Sequence, residues 1–266
     1  MSINRWIYGL LGFAMLTVVL IFGNELIINV LFTIVALMCL YEYFGCFKEK
    51  AKPIVEIGYI SALIIPLIHI LPKEQQIYLL FVIPVIIMYV FARVIFTEMK
   101  ITFYDAAITF MGIMYIVGLI VFLPLITEME NGKLLIWYAI FPAWGTDVFA
   151  YIFGKMCGKH KFTSVSPKKS VEGCIAGIFG GLFFTLGYTM ILNMFLNFNI
   201  PYLYVAIITV FLSIIGQIGD LAASTIKRYV GVKDFSNLIP GHGGMLDRID
   251  SVIFAAPFTF LFLIMM

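Results

Sequence analysis

Between Ala106 and Ile126, and again between Cys174 and Phe195, the chain carries no charged residue. Each run is long enough to cross a hydrocarbon layer about 30 Å thick at about 1.5 Å of rise per residue. Lipid offers no partners to backbone N–H and C=O groups, so a segment of this kind is stable in a bilayer only as a helix. The remainder of the sequence agrees. Of its 266 residues, 62% are hydrophobic and 12% charged, with a mean hydropathy of +1.06. A water-soluble domain carries roughly 25% charge. Too few charges are present to clothe a soluble surface, and a soluble fold is excluded.

Charged or Pro/Gly-rich interruptions divide the chain into about nine apolar segments. They run from Trp6 to Phe22, Leu26 to Phe44, Ile57 to Leu71, Ile77 to Ala92, Ala106 to Ile126, Leu134 to Phe153, Cys174 to Phe195, Tyr202 to Gly219 and Ile249 to Met266. The expected fold is therefore all-α, a polytopic integral membrane protein with about nine transmembrane helices. Residues 1–130 read as plain membrane helices, and 131–266 as catalytic membrane helices with cytoplasmic loops. The first span looks like a signal sequence, but no small-x-small cleavage site follows near Phe22 to Glu25, so it reads as retained. Four cysteines, Cys39, Cys46, Cys157 and Cys174, form no C-x-x-C pair and favour neither a disulfide framework nor a zinc site.

Placing alternate loops together sorts the Lys and Arg residues. One side collects Arg5, Lys48, Lys50, Lys52, Arg93, Lys100, Lys155, Lys159, Lys161, Lys168, Lys169, Lys227, Arg228, Lys233 and Arg248; the other has Lys73 and Lys133. Basic residues are retained on the cytoplasmic side, so this asymmetry puts the N-terminus and the long basic loops in the cytoplasm and the C-terminus outside. The net charge of +2 is too mild to imply a nucleic-acid partner.

Carboxylates in or beside membrane helices cost several kcal/mol unless compensated, which makes each a functional candidate. Glu42 lies near the cytoplasmic end of its span, where it could also snorkel or pair with a lysine. Asp147, Tyr151 and Lys155 fall one turn apart on one helix face. They lead into a Gly/Lys-rich loop holding Gly154-Lys155, Gly158-Lys159-His160-Lys161, Ser166-Pro167-Lys168-Lys169-Ser170 and Glu172. Backbone N–H groups and mobile cations of this kind suit a triphosphate or a phospholipid head group, although loose basic loops also bind anionic lipid without specificity. The spacing is not that of a Walker A loop.

The densest cluster runs from Gly219 to Asp250. Asp220, Ser224, Lys227 and Arg228 share one stripe of a helix leaving the eighth span. Lys233-Asp234 follow, then Pro240-Gly241-His242-Gly243-Gly244, then Asp247-Arg248-Ile249-Asp250. The glycines allow a loop to press its backbone against a ligand, while His242 is open to phosphate contact, proton transfer or loop packing. Asp247 and Asp250 could be helix caps, and the basic residues membrane anchors. Capping does not account for Asp220. Asp220 and Asp247, two hard carboxylates ringed by Lys and Arg, suit a Mg²⁺ ion carrying nucleotide phosphates.

The stretch from Ser224 to Asp250 resembles the signature of the phosphatidate cytidylyltransferases, or CDP-diacylglycerol synthases, S-x-x-K-R-x(4)-K-D-x(4)-hydrophobic-P-x-H-G-G-x-x-D-R-x-D. It agrees at every fixed position. Gly219-Asp220-Leu221, Asp147 with Ala150-Tyr151, Gly154-Lys155, Gly158-Lys159 and Ser166-Pro167-Lys168-Lys169 with Glu172-Gly173 resemble further motifs of that family, with Ser170 where threonine is common. The resemblance implies an enzyme of phospholipid biosynthesis that converts CTP and phosphatidic acid to CDP-diacylglycerol and pyrophosphate with Mg²⁺. It would be a multi-pass protein of the cell membrane whose active site faces the cytoplasm, with a homodimer among the expectations.

On that resemblance, Asp220 and Asp247 would bind the metal, and Lys227, Arg228, Arg248 and His242 would complete the catalytic set. Asp147, Lys155, Lys159, Lys168, Lys169, Ser224, Lys233, Asp234, Gly243 and Gly244 would receive the substrates. A relative acting on another lipid phosphate is the nearest rival. A transporter would place charges at mid-membrane in both halves, whereas here they are one-sided and confined to the C-terminal half.

Overall fold

The computed structural model describes residues 3–238 and 243–266. Twelve α-helices and one 3-10 helix follow one another in this part of the chain: α1 Ile3–Phe22, α2 Glu25–Cys46, α3 Val55–Ser61, α4 Ile64–Ile70, the 3-10 helix Lys73–Phe81, α5 Val82–Phe96, α6 Phe103–Ile120, α7 Phe122–Thr127, α8 Gly132–Leu135, α9 Trp137–Cys157, α10 Val171–Leu196, α11 Tyr202–Val230 and α12 Leu246–Met265. Among the described residues, seven helical stretches are long and apolar enough to cross a membrane, and two shorter apolar ones, Gly12–Phe22 and Val55–Ile70, accompany them. The chain is an all-helical polytopic membrane protein, with about nine apolar helices as its sequence leads one to expect.

Several spans are broken, and proline explains where. Pro66, Pro84 and Pro124 each stand third in α4, α5 and α7. In a first turn the missing N–H costs nothing, because no intrahelical acceptor precedes it. Each proline therefore starts a new helix after a break in a longer apolar run.

The chain forms two units, Met1–Lys133 with Tyr229–Arg248, and Leu134–Arg228 with Ile249–Met266. In the first, α2 buries one face that includes Ile28, Phe32, Ala36, Leu40, Tyr43 and Phe44, at the spacing of helix turns. Its aromatic end packs on bare backbone: a Cβ on Gly112 of α6 would lie 2.5 Å from the Tyr43 ring. Asp105 opens α6 in a capping box with Thr102. Its other carboxylate oxygen accepts the Lys52 N–H at 2.6 Å, and Thr109 accepts the Ile54 N–H at 2.8 Å, so the segment before α3 is stitched to α6.

In the second unit α9 and α10 approach until their backbones touch. A Cβ on Gly145 would lie 2.6 Å from the Gly180 carbonyl oxygen. Small residues are how membrane helices gain close packing when no hydrophobic force separates them from lipid. Gly219 plays the same part between α11 and α12, where a Cβ would lie 2.7 Å from the Asp250 carbonyl oxygen. Asn193 closes the turn after α10 by bonding both the N–H and the C=O of Ile200, at 2.8 and 2.9 Å. This packing carries the polar C-terminal halves of α9 and α11 and the starts of α10 and α12.

Candidate active site

In the second unit α9 extends through Cys157, so Asp147, Tyr151 and Lys155 lie one turn apart on a single helix, and all three are exposed. The loop that follows is folded tightly. Lys161 and Ser170 pair as an isolated antiparallel bridge, with Phe162 N–H on the Lys169 carbonyl and Val171 N–H on the His160 carbonyl, both at 2.9 Å. Ser170 caps α10 by accepting the Gly173 N–H at 3.1 Å. Glu172, in the first turn of α10, accepts the backbone N–H groups of Lys159 and His160, and its carboxylate lies 2.6 Å from His160 Nδ1. One carboxylate thus organises the loop, leaving Lys155, Lys159 and Lys168 exposed around it.

Lys169 points the other way. Half-buried, it forms an ion pair with Asp220 of α11, itself half-buried. One and two turns further along α11, Ser224 is 7% and Lys227 8% exposed, whereas Arg228 is exposed and its Nε donates to the Val165 carbonyl. Asp250, in α12, is 6% exposed, and its Oδ1 accepts the Ser251 N–H at 2.8 Å. Asp147, Asp220 and Lys227 all lie close enough to act on Asp250 electrostatically. The unit therefore gathers three carboxylates and two lysines, Lys169 and Lys227, from α9, α11, α12 and the loop before α10. Hard oxygen donors beside fixed cations are what a metal-bound polyphosphate requires.

In the first unit, Asp247 stands in the first turn of α12. Its Oδ2 accepts the N–H groups of Phe235 and Gly244, at 2.9 and 3.0 Å. Gly243 has φ +84°, the left-handed region that favours glycine, and a Cβ there would lie 3.1 Å from Asp247 Oδ2 and 3.3 Å from Asp234 Cβ. Lys233, Asp234 and Arg248 are exposed. His242 and Gly241 lie outside the described residues.

Glu42 has a role that its sequence did not reveal. It is 1% exposed, so it does not snorkel, and among the described residues no lysine pairs with it. Its Oε1 accepts the Ser236 hydroxyl and the Met245 N–H, and its Oε2 the Leu246 N–H, each at 2.8 Å. A Cβ on Gly244 would lie 2.5 Å from Oε2. Two carboxylates, Glu42 and Asp247, therefore hold Phe235 and Ser236 together with Gly244, Met245 and Leu246 at the start of α12. The signal for Glu42 was an acid inside an apolar run; the signal for Ser236 was absent.

Residues 3–266 match the model of a family described as the cytidylyltransferase family. The chain is similar to the phosphatidate cytidylyltransferase of Staphylococcus haemolyticus, 37% identical over 65% of this chain and 64% of the relative. It is 38% identical to that of Staphylococcus saprophyticus over 64% of each, and 41% identical to that of Bacillus subtilis over 50% of this chain and 49% of the relative. The match thus spans just under two thirds of the first two relatives' length.

Proposed function

The chain belongs to the cytidylyltransferase family, and from that premise we propose that it transfers the cytidylyl group of CTP to phosphatidic acid, leaving CDP-diacylglycerol in the membrane and releasing pyrophosphate. The observation that carries this reading is the half-buried pair of Lys169 with Asp220, gathered with buried Lys227 and Asp250 and with Asp147. A phosphate oxygen of the lipid attacks the α-phosphorus of CTP. The new P–O bond forms as the bond to the α,β-bridging oxygen breaks, and pyrophosphate leaves with that electron pair. The lipid phosphate is already ionised near neutral pH, so no side chain need remove a proton.

What the protein must supply is charge neutralisation and alignment of two polyanions. Lys169 and Lys227 would face the phosphates from within the unit. Lys155, Lys159 and Lys168 would receive CTP or the head group, and Arg228, Lys233 and Arg248 would add exposed positive charge. Ser224 and Asp147 would line the pocket, and Asp234, Gly243, Gly244 and His242 would close on the nucleotide. The acyl chains stay in the bilayer, which accounts for a nucleotide-using enzyme built of membrane helices.

The donor set fits Mg²⁺, a hard ion that takes oxygen ligands. Asp220 would hold it, and the sequence names Asp247 as a further candidate ligand; once bound, the ion would neutralise charge on the transferring phosphoryl group. The one-sided distribution of Lys and Arg favours an active site on the cytoplasmic face.

The test is to reconstitute the protein with CTP, Mg²⁺ and either phosphatidic acid or an ether-linked isoprenoid phosphate, and to identify the lipid product by mass spectrometry. CDP-diacylglycerol from the first acceptor is expected. Product from the second acceptor alone would reassign the substrate, and no product from either, in folded protein, would refute the reading.

A further inference from the structure

At the other end of α2, about 26 Å along the helix from Glu42 at 1.5 Å per residue, three side chains converge away from the loop signature. Glu25 opens α2, His69 lies in the last turn of α4, and Glu128 caps the C-terminus of α7, all within the first unit. One oxygen from each glutamate and one nitrogen of the imidazole lie within 4.8 Å of one another. His69 Nδ1 is 3.3 Å from Glu25 Oε2 and 3.2 Å from Glu128 Oε1.

These distances suit a shared ion better than a direct pairing. Charge-assisted N–H···O bonds are usually about 2.7–2.9 Å long, and a single Nδ1–H has one direction in which to donate, not two. In a tetrahedral site with bonds of about 2.1 Å, neighbouring ligand atoms are separated by about 3.4 Å. Among the described residues His69 is the only salt-bridge partner of either glutamate, and Lys133 spends its ammonium on the Gly23 carbonyl, 2.7 Å away.

A second observation points the same way. Asn29, one turn along α2 from Glu25, is completely buried, and its carboxamide lies against the cluster, with Nδ2 3.2 Å from Glu128 Oε1 and 2.9 Å from the Glu25 carbonyl. Among the described residues its Oδ1 has no hydrogen-bond partner. An orphaned buried acceptor costs about 1–3 kcal/mol. With Nδ2 donating to Glu128 Oε1, the carboxamide orients that carboxylate and supports the cluster from behind. The set is one imidazole nitrogen and two carboxylates, with no fixed cation among them.

We propose that Glu25, His69 and Glu128, backed by Asn29, bind a divalent ion of the Zn²⁺ class, which pins together the ends of α2, α4 and α7. A mixed nitrogen and oxygen set suits zinc, whereas Mg²⁺ prefers oxygen alone. Glu25, with its side chain 50% exposed, leaves a path for entry.

The experiment uses the whole purified protein, stripped with a chelator and titrated with ZnCl₂ in excess Mg²⁺, which keeps oxygen-only sites occupied. Bound zinc is counted by mass spectrometry after desalting, and its ligands are read by X-ray absorption. One zinc per chain with an imidazole nitrogen in its shell is expected, together with a zinc-dependent rise in Tm. His69→Ala and Glu128→Gln should each weaken binding at least about 100-fold and abolish the rise in Tm, and Asn29→Ala should weaken it roughly 10–100-fold. Zinc stoichiometry, affinity and imidazole signal unchanged in His69→Ala would overturn the proposal. So would a wild-type protein that takes up no zinc at micromolar concentration.

Discussion

Replacing Glu42 by glutamine changes one atom of a buried clamp and preserves its shape. In the better orientation, the glutamine oxygen takes the place of Oε1 and keeps the Ser236 hydroxyl and the Met245 N–H, 2.8 Å away in the native protein. The amide nitrogen then faces the Leu246 N–H, donor against donor, where Oε2 accepts at 2.8 Å. Orphaning one buried donor costs about 1–3 kcal/mol, and each surviving bond falls from charge-assisted to neutral strength, losing up to about 1 kcal/mol more. The sum is about 3 kcal/mol, or roughly a 150-fold rise in the population of the opened loop. Local opening sets amide exchange, so the assay is hydrogen–deuterium exchange of the peptide holding Met245 and Leu246, in the purified protein. Glu42→Gln should speed exchange there about 100-fold while leaving α10, in the other unit, unchanged. Exchange within threefold of wild type would mean that the carboxylate does not hold the start of α12.

Asp220→Asn should leave the protein inserted and lower CDP-diacylglycerol formation by roughly 10³-fold, measured as turnover at saturating CTP; near-wild-type activity would remove Asp220 from the metal assignment, and the same test applies separately to Asp247→Asn. Gly180→Ala drives a methyl group against the backbone oxygen of Gly145, and should destabilise the second unit by about 2 kcal/mol, read as a lower Tm in detergent. Asp105→Asn forces one amide hydrogen toward either the Lys52 or the Thr102 N–H, and should cost about 1–2 kcal/mol of stability without altering the lipid product.

The nine apolar segments and their helical state were legible because lipid leaves a backbone no other choice. Helix spacing also placed Asp220, Ser224, Lys227 and Arg228 along one helix, and α11 does continue unbroken to Val230. The starts of α4, α5 and α7 follow from their prolines. What could not be read were partners distant in sequence. Glu42 meets Ser236, Met245 and Leu246 across 194, 203 and 204 residues, and no local pattern encodes a pairing of that range. Asp105 shows the same limit: its capping box with Thr102 is local, but its bond to Lys52 reaches back 53 residues. Glu25, His69 and Glu128 likewise come together from positions far apart in the sequence.

Attack by a lipid phosphate on the α-phosphorus of CTP makes a direct demand on isotopic label. The protein, reconstituted in vesicles containing phosphatidic acid, is given Mg²⁺ with CTP labelled at either the α- or the γ-phosphate. The account predicts that α-label enters the lipid fraction in step with the appearance of γ-label in pyrophosphate, one for one, and that neither moves in Asp220→Asn. Label from the γ-phosphate in lipid, or release of pyrophosphate without α-label in lipid, would contradict it.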